Sequence, residues 1–147
     1  LMTVDHLRAM REVRAEGIAT VGHCLGGRTS FLAMTHHAAI CAGVLLYHGN
    51  IFEARGAGMP APFAVTPNLR GPILGLFGKD DVNPSPEHVA TLGAELTRHG
   101  IRHEFHSYDG AGHAFQDFHS MRHYRQPAAD DAWAKLLSFL QHEVLSS

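Results

Sequence analysis

The sequence predicts an α/β fold: a mostly parallel sheet of about four strands with helices on both faces. Three observations predict it. Continuous apolar runs at Ile18 to Val21, Cys41 to Tyr47 and Pro72 to Gly78 suit strands buried on both faces. Helix-compatible segments or long connections separate them, so consecutive strands join by crossovers and lie parallel. Finally, the residues with chemical character cluster after predicted strands: Cys24 after the first, Asp80 and Asp81 after the third, His113 after the fourth. Ligands of such sheets bind at the carboxyl ends of the strands.

Composition sets the bounds. A chain of 147 residues is enough for one domain, here taken as residues 1–147. Its 45% hydrophobic and 18% charged residues read as a globular protein. The net charge of −2 and the lack of a basic patch give no reason to expect nucleic acid or an anionic membrane as partner. No apolar run reaches the length of a membrane helix, and no signal peptide is legible. The two cysteines, Cys24 and Cys41, have neither metal-ligand nor disulfide spacing, which fits a reduced, cytoplasmic setting. Thirteen histidines include the pairs His36–His37, His103–His106 and His119–His123, but no H-E-x-x-H and no third ligand nearby, so no metal is expected.

The elements follow in order. Thr3 to Glu16 reads as a helix, with Thr3 as N-cap, Val4, Leu7, Met10 and Val13 as its apolar face, and Gly17 as its stop. The strand Ile18 to Val21 comes next, then a helix from Thr29 to about His37. After the buried strand Cys41 to Tyr47, the stretch from His48 to Arg70 is rich in Gly and Pro and reads as a long functional loop. Strand Pro72 to Gly78 breaks at Lys79-Asp80-Asp81. A helix from Pro84 through His99 buries Val89, Leu92 and Leu96 and closes at Gly100. Arg102 to Tyr108 alternates like an edge strand. The last helix, Ala128 to Val144, carries the stripe Ala132, Trp133, Leu136, Leu137, Leu140 and Val144.

One stretch organises these elements: Gly22-His-Cys24-Leu-Gly26-Gly27. A β-prone run ends at Gly22, and an apolar helical segment follows Gly27. This is the strand–turn–helix of a nucleophile elbow with cysteine at its tip. Glycines two residues either side let strand and helix approach without a Cβ clash. A helix starting at the cysteine offers unpaired N–H groups and a dipole that favour a thiolate. Such glycines also serve nucleotide-binding turns, and a buried cysteine is often a plain small hydrophobe. The rest of the constellation separates these readings. A cysteine nucleophile needs a histidine base, and the base an orienting acid. The chain offers them in the order Cys24, Asp80 or Asp81, His113, with His113 in the loop Gly110-Ala-Gly-His-Ala-Phe115.

These residues resemble the dienelactone hydrolase (carboxymethylenebutenolidase) family. The resemblance rests on Gly22 to Gly27, Leu46-Tyr-His-Gly49, Gly75-Leu-Phe-Gly-Lys-Asp80-Asp-Val-Asn-Pro84, His103 to Tyr108 and Gly110 to Phe115. It implies an α/β-hydrolase fold and hydrolysis of an enol-lactone or carboxylic ester without cofactor. It implies Cys24 as nucleophile, His113 as base, Asp80 rather than Asp81 as acid, and the Leu25 backbone N–H as oxyanion donor. The family's substrate-gripping arginine, expected shortly after the histidine, has no counterpart in Ala114-Phe-Gln-Asp117, which leaves another ester or lactone open as substrate.

Only one helix precedes the elbow, where the family has several strands. The chain thus matches the C-terminal half to two-thirds of the family domain. The expectation is that the strand Ile18 to Val21 keeps an open apolar edge, and that the chain self-associates through it and is nearly inactive alone. The competing readings are a non-catalytic domain, or an inactive fragment, that keeps the elbow as architecture, and more distantly a cysteine peptidase.

Overall fold

Strand burial sorts the sheet. In the computed structural model of the protein, which describes residues 2–56 and 58–145, β2 (Ile40–Leu46) is buried except at half-buried Cys41, and β3 (Ile73–Gly78) is buried throughout. The outer strands are more open: β1 (Ile18–His23) is buried only at Ile18 and Gly22, and β4 (His103–Tyr108) mixes half-buried with exposed positions. The order is β1-β2-β3-β4 with every pairing parallel. Among the described residues β1 pairs with β2 alone, so its outer edge is free.

Period-two alternation splits the core into two layers. On one face Leu45 and Ile73 pack with Phe31 and Met34 of α2 (Leu25–His36), and Leu92 and Leu96 of α3 (Pro86–Arg98). Val4 of α1 (Met2–Ala9) joins them. On the other, Val44, Leu46, Leu74 and Leu76 meet Ala128, Ala132 and Leu136 of α4 (Gln126–Leu140). Helices therefore cover both faces, as the apolar runs predict, and the architecture is that of a partial α/β-hydrolase fold. Ser85 caps α3 by accepting from the His88 amide, and the His88 ring answers the Ser85 amide. Among its described residues the 48–70 loop holds one short 3-10 helix, Phe63–Asn68.

Two elements differ from expectation. Helix α1 ends at Ala9 rather than Glu16; the chain continues through turns closed by Met10 to Leu7, Val13 to Met10 and Gly17 to Arg14 bonds. Between Met10 and Gly17 the only apolar residue larger than alanine is Val13, which packs alone against the core, too little for an apolar helical face, and helices live on packing more than on propensity. In α4 the buried stripe is narrower than its spacing suggests. Ala132 and Leu136 are buried, but Trp133 and Leu137 are 52% and 51% exposed. Leu137 instead lines an open apolar groove with Ala19, Leu140, Val144 and Leu145.

Candidate active site

The elbow forms because backbone and backbone must nearly touch. Cys24 sits at φ 53°, ψ −119°, a strained conformation for a side-chain-bearing residue. Its amide still donates to Leu46 O, as if β1 continued, while its carbonyl already accepts from Gly27 and Arg28. A Cβ on Gly22 would lie 2.1 Å from the Gly26 carbonyl oxygen, whereas one on Gly26 would meet nothing within 4 Å. Of the two flanking glycines, only Gly22 is sterically required. Leu25 opens α2, so its amide has no partner one turn back and faces the cysteine end of the helix.

Cys24 is exposed, and its Sγ lies 3.0 Å from His113 Nε2. The other ring nitrogen, Nδ1, is 2.8 Å from Asp81 Oδ2. Asp81 rather than Asp80 therefore meets His113, a correction to the acid that the resemblance implies. The physical reason lies in the end of β3. Lys79 and Asp80 form the turn that follows β3: their amides bond across to Tyr108 and Ala111, and the Asp80 side chain stays exposed. Asp81 closes that turn by donating its amide back to Gly78. That turn sends Asp81 inward to 5% exposure, and its second oxygen accepts the Asn83 amide at 2.8 Å. An Asp-x-Asn turn of this kind is the sequence signal that favours Asp81.

The Asp81 bond, opposed by burial and helped by Cys24, holds the His113 pKa up at about 9. Tyr47, at φ 38° and 4% exposed, sets its ring edge-on to His113 at 5.3 Å, and burial followed by the Cys24 charge pushes its phenol up. Behind the elbow His48 is completely buried and stacks on Phe31, and among the described residues neither ring nitrogen has a hydrogen-bond partner. Burial first, then the Arg28 charge, lowers its pKa to about 3. The cleft at Cys24 is lined by Leu25, Arg28, Asn50, Arg55, Asn83 and His113. Tyr47, His48, Arg28 and Asn83 are residues that sequence reasoning did not single out for the site. Among the described residues no group of three or more His, Cys, Asp or Glu could hold a metal ion.

Similarity to known proteins establishes the family. Residues 1–144 match the family model described as "Dienelactone hydrolase family". The chain belongs to the dienelactone hydrolase family. A Yersinia pestis protein named "Putative carboxymethylenebutenolidase" is 33% identical over 130 residues, 86% of this chain and 48% of that protein. A Bradyrhizobium protein named "Probable 2-oxo-3-(5-oxofuran-2-ylidene)propanoate lactonase" is 30% identical over 139 residues, 94% of this chain and 55% of its own length. The crystal structure of a "Putative Dienelactone Hydrolase" from Klebsiella pneumoniae superposes with a TM-score of 0.85 at 27% identity, over 94% of this chain and 58% of that one. The chain thus spans about half the length of the curated relatives it matches. Among the described residues no helix is long and apolar enough to cross a membrane.

Proposed function

We propose that this chain carries the reacting residues of a hydrolase acting on a small-molecule carboxylic ester or lactone. One observation carries the reading: the unbroken line Cys24 Sγ, His113 Nε2, His113 Nδ1, Asp81 Oδ2, with contacts of 3.0 and 2.8 Å. Family membership and the lactonase name of one relative support it. His113 takes the thiol proton, and Cys24 attacks the acyl carbon. The carbonyl oxygen becomes an oxyanion that accepts from the Leu25 amide. The imidazolium returns its proton to the departing oxygen, and water then cleaves the thioester with His113 as base. Asp81 fixes the tautomer with the proton on Nδ1. A thiolate held in this way needs a reducing compartment, which supports a cytoplasmic setting.

The test is acylation of Cys24 by p-nitrophenyl acetate, followed by mass spectrometry and p-nitrophenol release. Cys24→Ala abolishes acylation, and His113→Ala and Asp81→Asn slow it by ~10²-fold or more, whereas Asp80→Asn leaves it within a few-fold. An inert Cys24 in the unaltered chain would return it to the non-catalytic reading.

A further inference from the structure

Beside the His113 segment after β4, three loops bring the site together: the elbow, the segment after β2 and the segment after β3. A chain of hydrogen bonds that avoids His113 ties them to one another. Arg28 lies on α2 one turn beyond Cys24 and is 3% exposed. Its guanidinium donates to the carbonyls of Asn50 and, at 3.0 Å, Pro60. Asn50 holds a left-handed backbone at φ 54° and donates its amide to Asn83 Oδ1 at 2.7 Å. The Asn83 side-chain amide returns a bond to Asn50 Oδ1 at 3.1 Å. The Asn83 backbone amide then donates to Asp81 Oδ1 at 2.8 Å, the oxygen that His113 does not use. Gly49 lets the loops meet so closely: a Cβ there would lie 2.6 Å from the Asn83 carbonyl oxygen.

We propose that Asn83 is a positioning residue, which orients the Asp81 carboxylate toward His113 and fixes it, through Asn50 and Arg28, to the helix that carries Cys24. The inference rests on the reading of Cys24, His113 and Asp81 given above. Its physical logic is that of a carboxylate with two oxygens and two demands. One oxygen must meet the imidazole in line; the other, if free, lets the group rotate away. A donor on the second oxygen removes that freedom, and outer partners of this kind commonly set ligand and base geometry to within a fraction of an ångström. The doubly bonded Asn50–Asn83 pair holds the donor itself. The buried Arg28, bonded to carbonyls, makes α2 the fixed end of the chain.

The consequence falls on His113. It faces Cys24, Asp81 and the Tyr47 ring, with Arg28 and Arg55 along one side. Asp80, Arg122, His123 and Arg125 lie along the other. Among these, the bond to Asp81 contributes most to the raised basicity of His113. Loosening Asp81 lowers that basicity without touching Cys24 or the cleft.

The experiment measures the rate of Cys24 alkylation by iodoacetamide from pH 5 to 10, which needs no substrate and no turnover. Asn83→Ala keeps the backbone amide but cuts the side-chain link to Asn50. It is expected to move the His113-dependent transition down by about one pH unit and to slow alkylation near neutrality by ~10-fold. The melting curve should remain cooperative. Asn50→Gly, which keeps the left-handed backbone and the carbonyl for Arg28 but removes the side-chain acceptor, gives a smaller shift in the same direction and serves if Asn83→Ala does not fold. Asp81→Asn is the reference. If it changes the profile and the folded Asn variants do not, the positioning role is overturned while the triad reading stands. If Asp81→Asn itself leaves the profile unchanged, the triad reading fails. A role confined to folding would lower the melting temperature and leave the pH profile in place, which also overturns the proposal.

Discussion

The carboxyl ends of β1 to β3 and the outer edge of β1 are built on opposite plans. At the strand ends backbone nearly touches backbone, the Asp81 and Arg28 side chains are buried and hydrogen-bonded, and strained residues at Cys24, Tyr47 and Asn50 are held in place. At the edge of β1 the ladder stops. Val21 is 43% exposed, and the groove of Ala19, Leu137, Leu140, Val144 and Leu145 lies open beside it. Val21 is in register with Val44, so it lies on the α4 side of the sheet, the same side as that groove. The difference teaches that local geometry at the reacting end is over-determined within this chain, whereas the apolar surface at the edge is left for something else to cover.

The largest expected effect breaks the dense end. Gly22→Ala forces a Cβ to within 2.1 Å of the Gly26 carbonyl, and strand and helix must part. It should cost about 3 kcal/mol or more in chemical denaturation and abolish Cys24 acylation. Gly26→Ala, with open space at the same distance from Cys24, should stay within about 1 kcal/mol of the parent and raise the helicity of α2 if anything. Equal losses from both would mean that the elbow is not set by this contact.

A smaller effect tests whether every buried group at the dense end is well placed. His48 is neutral in the fold, with its pKa lowered to about 3, while the unfolded chain protonates near 6.5. The sign follows: its contribution is intact above about pH 6.5 and is lost as pH falls toward 3. His48→Phe keeps a ring against Phe31 and removes the proton. Relative to the parent it should gain about 2 kcal/mol between pH 8 and pH 5. A pH-independent difference would show that His48 is not the acid-sensitive group.

The smallest effect on stability is expected at the bare edge, although the change in association is visible. Self-association through β1 is what the open ladder suggests. Val21→Lys should shift the chain toward monomer in size-exclusion chromatography while changing stability by only about 0.5 kcal/mol. An unaltered elution profile, whether monomeric or associated in both proteins, would remove the β1 edge as the route.

Much of this was legible in the sequence. Apolar runs gave the first strand and the two inner ones, alternation gave the last, and sequence separation made the sheet parallel. The Gly22-x-Cys24 pattern marked the elbow, and Gly110-Ala-Gly-His113 marked the histidine loop, because turns and periods are local properties. What only the tertiary structure decided depends on where a side chain ends up after a turn. Asp80 and Asp81 differ by one position, and the turn at Lys79 and Asp80 leaves the first exposed and the second, which closes it, buried. The length of α1 and the exposure of Trp133 and Leu137 depend on whether another surface exists to cover an apolar face, which spacing along a helix cannot report. The same holds for the link from Arg28 through Asn50 and Asn83 to Asp81. Its members are 22, 33 and 2 positions apart, and hydrogen bonds between loops leave no period in the sequence; they exist because the parallel sheet brings the ends of its strands to one side.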